Sequence, residues 1–103
     1  MRNNHSTLEK ALTALETAAN VDPTWRAVPH WDLNRSSSGY RVTVWVPAEY
    51  AGLPEVTSVD NDGFPGVTAW LQAERPDALA AINAMLDELA DAAAAVTAKS
   101  VAA

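Results

Sequence analysis

The sequence predicts an α+β fold in which an antiparallel sheet of three to four strands packs against two helices. Apolar residues recur at helical spacing over residues 6–19 and 77–98, and shorter segments between them alternate apolar and polar residues. The length of 103 residues matches one average domain. We therefore expect a single compact domain over residues 1–103 with the order α-β-β-β-β-α, frayed at residues 1–5 and 99–103.

The first helix is indicated by a capping motif and by its apolar spacing. Ser6-Thr7-Leu8-Glu9 has the form of a capping box, in which the Ser6 hydroxyl and the Glu9 carboxylate accept hydrogen bonds from backbone N–H groups. The apolar positions that follow are Leu8, Ala11, Leu12, Leu15, Ala18 and Ala19. Asn20 tolerates the left-handed conformation that ends many helices, so the helix is predicted over residues 6–19.

The segment after this helix predicts an interrupted edge strand. Between Thr24 and Asn34 the large apolar residues share one parity, which is typical of a strand with one buried face. Pro29 lacks the N–H that a central strand would use, so we expect an edge strand that is broken or bulged at this residue. Residues 35–39 are rich in serine and predict a loop.

Three further strands are predicted before the second helix. Tyr40–Val46 alternates valines with Arg41, Thr43 and Trp45 and is the clearest of them. Glu55–Val59 predicts a short strand and Val67–Gln72 the last one. The tetrapeptide at residues 60–63, Asp-Asn-Asp-Gly, is a strong turn signal between these two strands. Residues 48–54 are expected to form a connection.

The second helix is predicted over residues 77–98, a length of about 33 Å at 1.5 Å per residue. Pro76-Asp77 suits its start. Its large apolar residues follow a strict three-four spacing: Leu79, Ile82, Leu86, Leu89, Ala93 and Val96. We call this row of residues the seam of the helix. The spacing favours packing of the seam against the chain's own sheet, and the alternative is a homodimer formed through the seam.

Strand parity predicts an open face on the sheet. If the valines of the Tyr40–Val46 strand face the helices, Trp45 faces away from them, and the same argument places Trp70 beside it. Two helices cover one face of a small sheet, so the other face is expected to be open. Its predicted residues are Arg41, Thr43, Trp45, Thr68, Trp70 and Gln72. An exposed tryptophan pair indicates a protein interface, unless residues 24–34 or 48–54 fold over it.

Charge limits the classes of partner. The net charge is −6, and residues 23–48 carry three arginines against one aspartate. Three arginines are too few for affinity driven by phosphate contacts, so nucleic-acid binding is not expected. The acidic residues of the second helix predict either a solvated surface or one that docks on a basic partner. No apolar stretch reaches the length of a membrane span and no secretory signal is evident, so we expect a cytoplasmic protein.

The sequence indicates no catalytic or metal-binding residues. Cysteine is absent, and His5 and His30 lack metal-ligand spacing. Residues 60–63 are similar to part of a calcium-binding loop, but Ala69 stands where such a loop needs a bidentate carboxylate. The serines at residues 36–38 lie in a loop without an acid–base set. We therefore expect a protein that is not an enzyme and binds neither a metal nor a cofactor.

Three segments resemble HicB-type antitoxins: Tyr40–Val46, Gly63–Val67 and Ala78–Ile82. In that family the corresponding segments are a strand, a second strand ending in a Leu-Pro-Gly-like turn, and an amphipathic helix. The resemblance covers about half of the chain and implies an antitoxin-type regulator. The family's Gly-Asp-Thr-like segment before the helix is missing here, and the first helix has no counterpart. The order of elements is also similar to that of double-stranded-RNA-binding domains, without their basic residues.

The function expected from the sequence is a small non-enzymatic protein-binding module, an adaptor or inhibitor of the kind that phages and other mobile elements encode. It would act through the open sheet face or the acidic helix on a protein that the sequence does not identify. The alternatives are a self-associating structural or assembly protein, a HicB-like regulator, and a small-molecule binder.

Overall fold

A computed structural model describes residues 5–19, 31–50, 52–60 and 67–102. It confirms the predicted α+β class and the order α-β-β-β-β-α. The elements are α1 (Leu8–Ala19), β1 (Trp31–Ser36), β2 (Gly39–Val46), a 3₁₀ turn (Ala48–Tyr50), β3 (Thr57–Asp60), β4 (Val67–Arg75) and α2 (Ala78–Ala102).

The four strands form one antiparallel sheet in the order β1-β2-β4-β3. Because β4 lies between β2 and β3, the chain must cross from β2 to the far edge of the sheet before β3 begins. Apolar residues anchor this connection to the core: Tyr50 and Val56 are buried, and Leu53 packs against the same cluster. The connection therefore lies on the face of the sheet that the helices cover.

The core lies between the sheet and the two helices. Among the fully buried side chains, Val42, Val44 and Leu71 come from the sheet, and Leu15, Ile82 and Met85 come from the helices. The even-numbered valines of β2 thus face α1 and α2, as their alternation predicted. Val46, Ala69 and Ala73 complete this buried face of β2 and β4.

Helix α1 begins two residues later than predicted, and its cap differs from the expected capping box. Thr7 is the capping residue, because its Oγ1 accepts a hydrogen bond from the Lys10 backbone N–H at 3.3 Å. The residue three positions after this cap is Lys10, whose side chain is not the Glu or Gln that a capping box requires. Asn20, which the sequence predicted as the residue that ends α1, lies outside the described residues.

Helix α2 begins at Ala78, one residue after the predicted start, and ends at Ala102, four residues after the predicted end. Asp77 caps it, with Oδ1 accepting a hydrogen bond from the Ala80 N–H at 2.8 Å. Its 25 residues span about 37 Å. Along the three-four seam, Ile82, Leu86 and Leu89 are buried in the core, whereas Ala93 is exposed. The seam therefore serves mainly to pack α2 on its own chain.

The connection between β1 and β2 is shorter than the predicted loop at residues 35–39. Strand β1 continues to Ser36, which pairs with Gly39 across a turn. Gly39 has a φ of 140°, where L residues are strained, and a Cβ at this position would collide with the Arg75 carbonyl oxygen and lie 2.6 Å from the Pro76 Cα. Glycine is what allows the hairpin to lie this close to the end of β4.

Several predicted features lie outside the described residues. These are residues 24–30 of the predicted edge strand, including the break at Pro29 and His30, and the turn after Asp60. The strands on either side of that turn are antiparallel partners, with Asp60 opposite Val67. At the beginning of the described chain, His5 is hydrogen-bonded to Asn83 of α2: the His5 N–H donates to Oδ1 at 3.1 Å, and Nδ2 donates to the His5 carbonyl at 3.2 Å. At the other end, α2 continues through Ala102.

Candidate functional site

The register of the sheet separates its residues into two faces. Thr43 pairs with Gln72 and Trp45 with Trp70, and residues paired in this way project from the same side of a sheet. Their neighbours Val44 and Leu71 project from the other side into the core. We call the side opposite the helices the outer face. Its residues are Asp32, Asn34, Arg41, Thr43, Trp45, Thr57, Val59, Thr68, Trp70, Gln72 and Glu74.

The centre of the outer face is a tryptophan pair, Trp45 and Trp70. These residues are direct partners on neighbouring antiparallel strands, and Thr57 lies beyond Trp70 on β3. Both are half-buried and neither belongs to the core cluster. Aromatic residues that are direct partners across two antiparallel strands stabilise a sheet by about 0.2–1 kcal/mol relative to alanines.

One of the two predicted covers of this face can be placed. The described part of residues 48–54 packs with the core through Tyr50 and Leu53, which puts it on the helix side of the sheet. The described part of residues 24–34 is β1 itself, which extends the outer face sideways. Among the described residues, neither helix packs on the tryptophan pair.

A cavity of about 370 Å³ lies beside the tryptophan pair. Its floor is Thr43, which its neighbours leave only 7% exposed. The Thr43 hydroxyl accepts a hydrogen bond from Gln72 Nε2 at 3.2 Å, so floor and side wall are tied together across β2 and β4. The lining residues are Asp32, Asn34, Arg41, Thr43, Trp45, Trp70 and Gln72.

The charged groups around the cavity are unequally matched. Arg41 is paired with Glu74 at 3.5 Å, and both side chains are partly exposed, at 47% and 34%. A pair this exposed adds little to stability. Asp32 accepts a hydrogen bond from Asn34 Nδ2 at 2.7 Å, and no cation is paired with it among the described residues. Within the described part of the chain, the cavity therefore has one balanced charge pair and one carboxylate without a counter-ion.

The structure brings the six predicted residues together on one face. Arg41, Trp45, Trp70 and Gln72 line the cavity together with Thr43, and Thr68 lies next to them on β4. Thr43 is buried by its neighbours, so it acts through its hydroxyl bond to Gln72 rather than as exposed surface.

Other residues of the outer face were not identified from the sequence. Asp32 and Asn34 alternate with Trp31 and Leu33 along β1. The alternation of this segment could therefore have placed them on the outer face. Val59 is 52% exposed and lies opposite Thr68, which extends the face beyond the tryptophan pair. Its position depends on the pairing of β3 with β4, which the turn signal at residues 60–63 indicated, and on the register of that pairing.

A second cavity, of about 640 Å³, lies in the groove between α1 and α2. Most of its lining consists of small or aliphatic side chains, including Ala14, Ala18 and Leu89, and Lys10 lies at its edge. This lining offers shape but few polar groups that would fix the orientation of a ligand.

Glu88 is the one described side chain with a buried oxygen that lacks a partner: its Oε2 has no hydrogen bond among the described residues. Burial raises the pKa of its carboxyl above the ordinary value; Arg75 opposes this, and Glu55 and Asp91 add to it. Because the folded pKa lies above the unfolded one, the folded state holds the proton more tightly. Stability is therefore lost as the pH rises through the ordinary glutamate pKa and on through the raised one.

Two further findings concern the described part of the chain. No three His, Cys, Asp or Glu side chains within it are grouped so that they could hold a metal ion. None of its helices combines the length and the apolar character that crossing a membrane requires.

Comparison of the chain with models of protein families, with curated proteins and with solved structures found no match. The resemblance to HicB-type antitoxins therefore stays a prediction from three short segments. The geometry of the outer face is what remains to indicate function.

Proposed function

We propose that this chain is a small, non-enzymatic protein-binding module, an adaptor or inhibitor, that engages another protein through its outer face. The observation that carries the proposal is the tryptophan pair beside a cavity on the side of the sheet opposite both helices.

The composition of the outer face is that of an interface centre. Tryptophan and arginine are the residues most enriched among those that dominate binding energy, and they act best when a partner excludes water from them. Trp45 and Trp70 supply large half-buried rings, and Arg41 supplies a guanidinium held by a weak, partly exposed ion pair. Gln72 and Thr68 add polar groups around them. A partner would complete the burial of the two rings.

The rigidity of the surface also supports binding rather than catalysis. All the residues concerned lie on paired strands, so little conformational entropy is lost when a partner orders them. The described lining of the cavity contains a carboxylate that accepts a hydrogen bond from an amide, and it includes no histidine, cysteine or serine to serve as base or nucleophile.

The test compares matched variants in the capture of a partner from cells of the source organism. The variant Trp45→Thr/Trp70→Thr keeps strand propensity and removes both rings. The control is Leu8→Ser, which removes an exposed apolar side chain, 43% accessible, at the start of α1. A protein retained by the natural chain and by Leu8→Ser is then purified, whether or not the tryptophan variant also retains it.

Titration calorimetry with that purified partner decides the matter. We expect the tryptophan variant to bind at least tenfold more weakly, and Leu8→Ser to bind within twofold of the natural chain. Equal affinities for all three proteins would place the binding surface elsewhere. Light scattering of the purified chain across a hundredfold concentration range tests self-association: a monomer is expected, and a dimer lost in the tryptophan variant would make the second copy the partner.

A further inference from the structure

The outer-face cavity joins aromatic rings to a carboxylate that has no counter-ion among the described residues. Trp45 and Trp70 form one wall, and Asp32 lies in the adjacent row of side chains, opposite Thr43. We propose that this cavity binds an arginine side chain from a basic segment of the partner protein. The inference rests on the proposed function and adds the chemistry of the group that the cavity recognises.

A guanidinium matches both features of the cavity. It is planar and stacks on aromatic rings, and tryptophan gives the strongest attraction between a ring and a cation. Its N–H groups form a fork that a carboxylate accepts with two parallel hydrogen bonds. Asp32 keeps acceptor capacity for this contact, because the bond from Asn34 occupies only Oδ1.

The position of Arg41 does not oppose this arrangement. Arg41 and Trp45 are four residues apart on β2, roughly 13 Å at 3.3 Å per residue, with Thr43 between them. Glu74 holds the Arg41 guanidinium at 3.5 Å and offsets its charge. An arginine stacked on the tryptophan pair therefore lies on the far side of Thr43 from the positive charge.

Size and overall charge favour a basic segment of a protein. A volume of about 370 Å³ lies near the lower end of ligand cavities and suits one long side chain. The net charge of −6 attracts a basic partner at long range, and Asp32 then fixes where the cation docks. A neutral or acidic segment would leave the Asp32 carboxylate desolvated without compensation.

The test uses blocked pentapeptides of the form Gly-Gly-X-Gly-Gly, in which X is arginine or citrulline. Citrulline has nearly the shape of arginine without its charge. Binding is measured by NMR titration of the full chain, following the indole N–H resonances assigned with Trp45→Phe and Trp70→Phe. We expect the arginine peptide to shift both indole resonances and to bind at least tenfold more tightly than the citrulline peptide.

Two variants with the same change of net charge separate the cavity from the general field of the protein. Asp32→Asn keeps an oxygen that accepts the Asn34 bond, and Glu16→Gln removes one exposed carboxylate on α1. Asp32→Asn is expected to weaken binding of the arginine peptide at least fivefold. Glu16→Gln is expected to weaken this binding less than twofold. Retention of the natural amide spectrum shows that each variant is folded.

Three results would overturn the inference: equal binding of the two peptides, equal effects of the two variants, or shifts confined to the acidic residues of α2. None of these results tests the proposed function, which fails only if the partner binds independently of the tryptophan pair. The converse outcome is also distinguishable: the arginine peptide binds as expected, but partner binding does not depend on the tryptophan pair. The proposed function then fails, and the inference about arginine binding holds.

Discussion

Leu71 and Gln72 are neighbours on β4 that project from opposite faces, and replacing each by alanine tests the orientation on which the outer face depends. Leu71 is 0% exposed and packs between the sheet and the helices, whereas Gln72 is exposed and bonded to Thr43. The two substitutions sit on the same strand, so differences in strand propensity and local backbone are minimised.

The structure gives the expected sizes. Leu71→Ala removes three carbons from a closed core, at about 0.8 kcal/mol each. The cavity left behind brings the total loss to about 2.5–5 kcal/mol. Gln72→Ala removes one half-exposed hydrogen bond, with a net loss of about 0.5–1.5 kcal/mol. For a chain of this length, 1 kcal/mol lowers the Tm by about 4–8 °C, so Leu71→Ala should lower it by at least about 10 °C.

Urea denaturation followed by far-ultraviolet circular dichroism measures both free energies of unfolding, and a thermal scan supplies the Tm values. Unchanged urea m values would show that the comparison is between the same folded and unfolded states. If Gln72→Ala lost as much stability as Leu71→Ala, the outer face would be buried like the inner one, and the tryptophan pair would belong to a core.

Three more predictions concern Glu88, Gly39 and the tryptophan pair. Glu88→Gln should raise the free energy of unfolding at pH 7, because it removes a partly buried carboxylate, and the gain should be under about 1 kcal/mol because the side chain is partly exposed. Below pH 4 the natural carboxyl is itself protonated, so the gain should vanish there; urea denaturation at several pH values measures both results. Gly39→Ala should lower stability by about 1–3 kcal/mol in urea, and an unchanged midpoint would show that the hairpin relaxes away from β4. A double-mutant cycle of Trp45→Thr and Trp70→Thr should give a coupling free energy of about 0.5–1.5 kcal/mol, and a value near zero would mean that the rings do not touch.

The features that the sequence predicted best are those set by local periodicity. Alternation in Tyr40–Val46 placed the valines inward and Trp45 outward, because successive side chains of a strand must point to opposite sides. Three-four spacing likewise predicted α2 and its buried Ile82, Leu86 and Leu89. Both patterns repeat within a few residues, so no knowledge of distant contacts is required.

Boundaries were less well predicted, since they depend on which of several suitable residues makes the bond. Ser6 and Thr7 are both good capping residues, and the choice of Thr7 is seen only in its bond to Lys10. The serine-rich segment at residues 35–39 has the composition of a loop, yet pairing with β2 extends β1 through Ser36. Hydrogen bonds to a neighbouring strand outweighed local preference there.

The sequence by itself determined the fold class and the two faces of β2 and β4, including the shared side of Trp45 and Trp70. Only the tertiary structure decided that β4 lies between β2 and β3 and that the two tryptophans are direct partners. It also brought Asp32 to the edge of the same cavity. Strand order and register are set by long-range burial and pairing, which the spacing of residues within one strand does not encode.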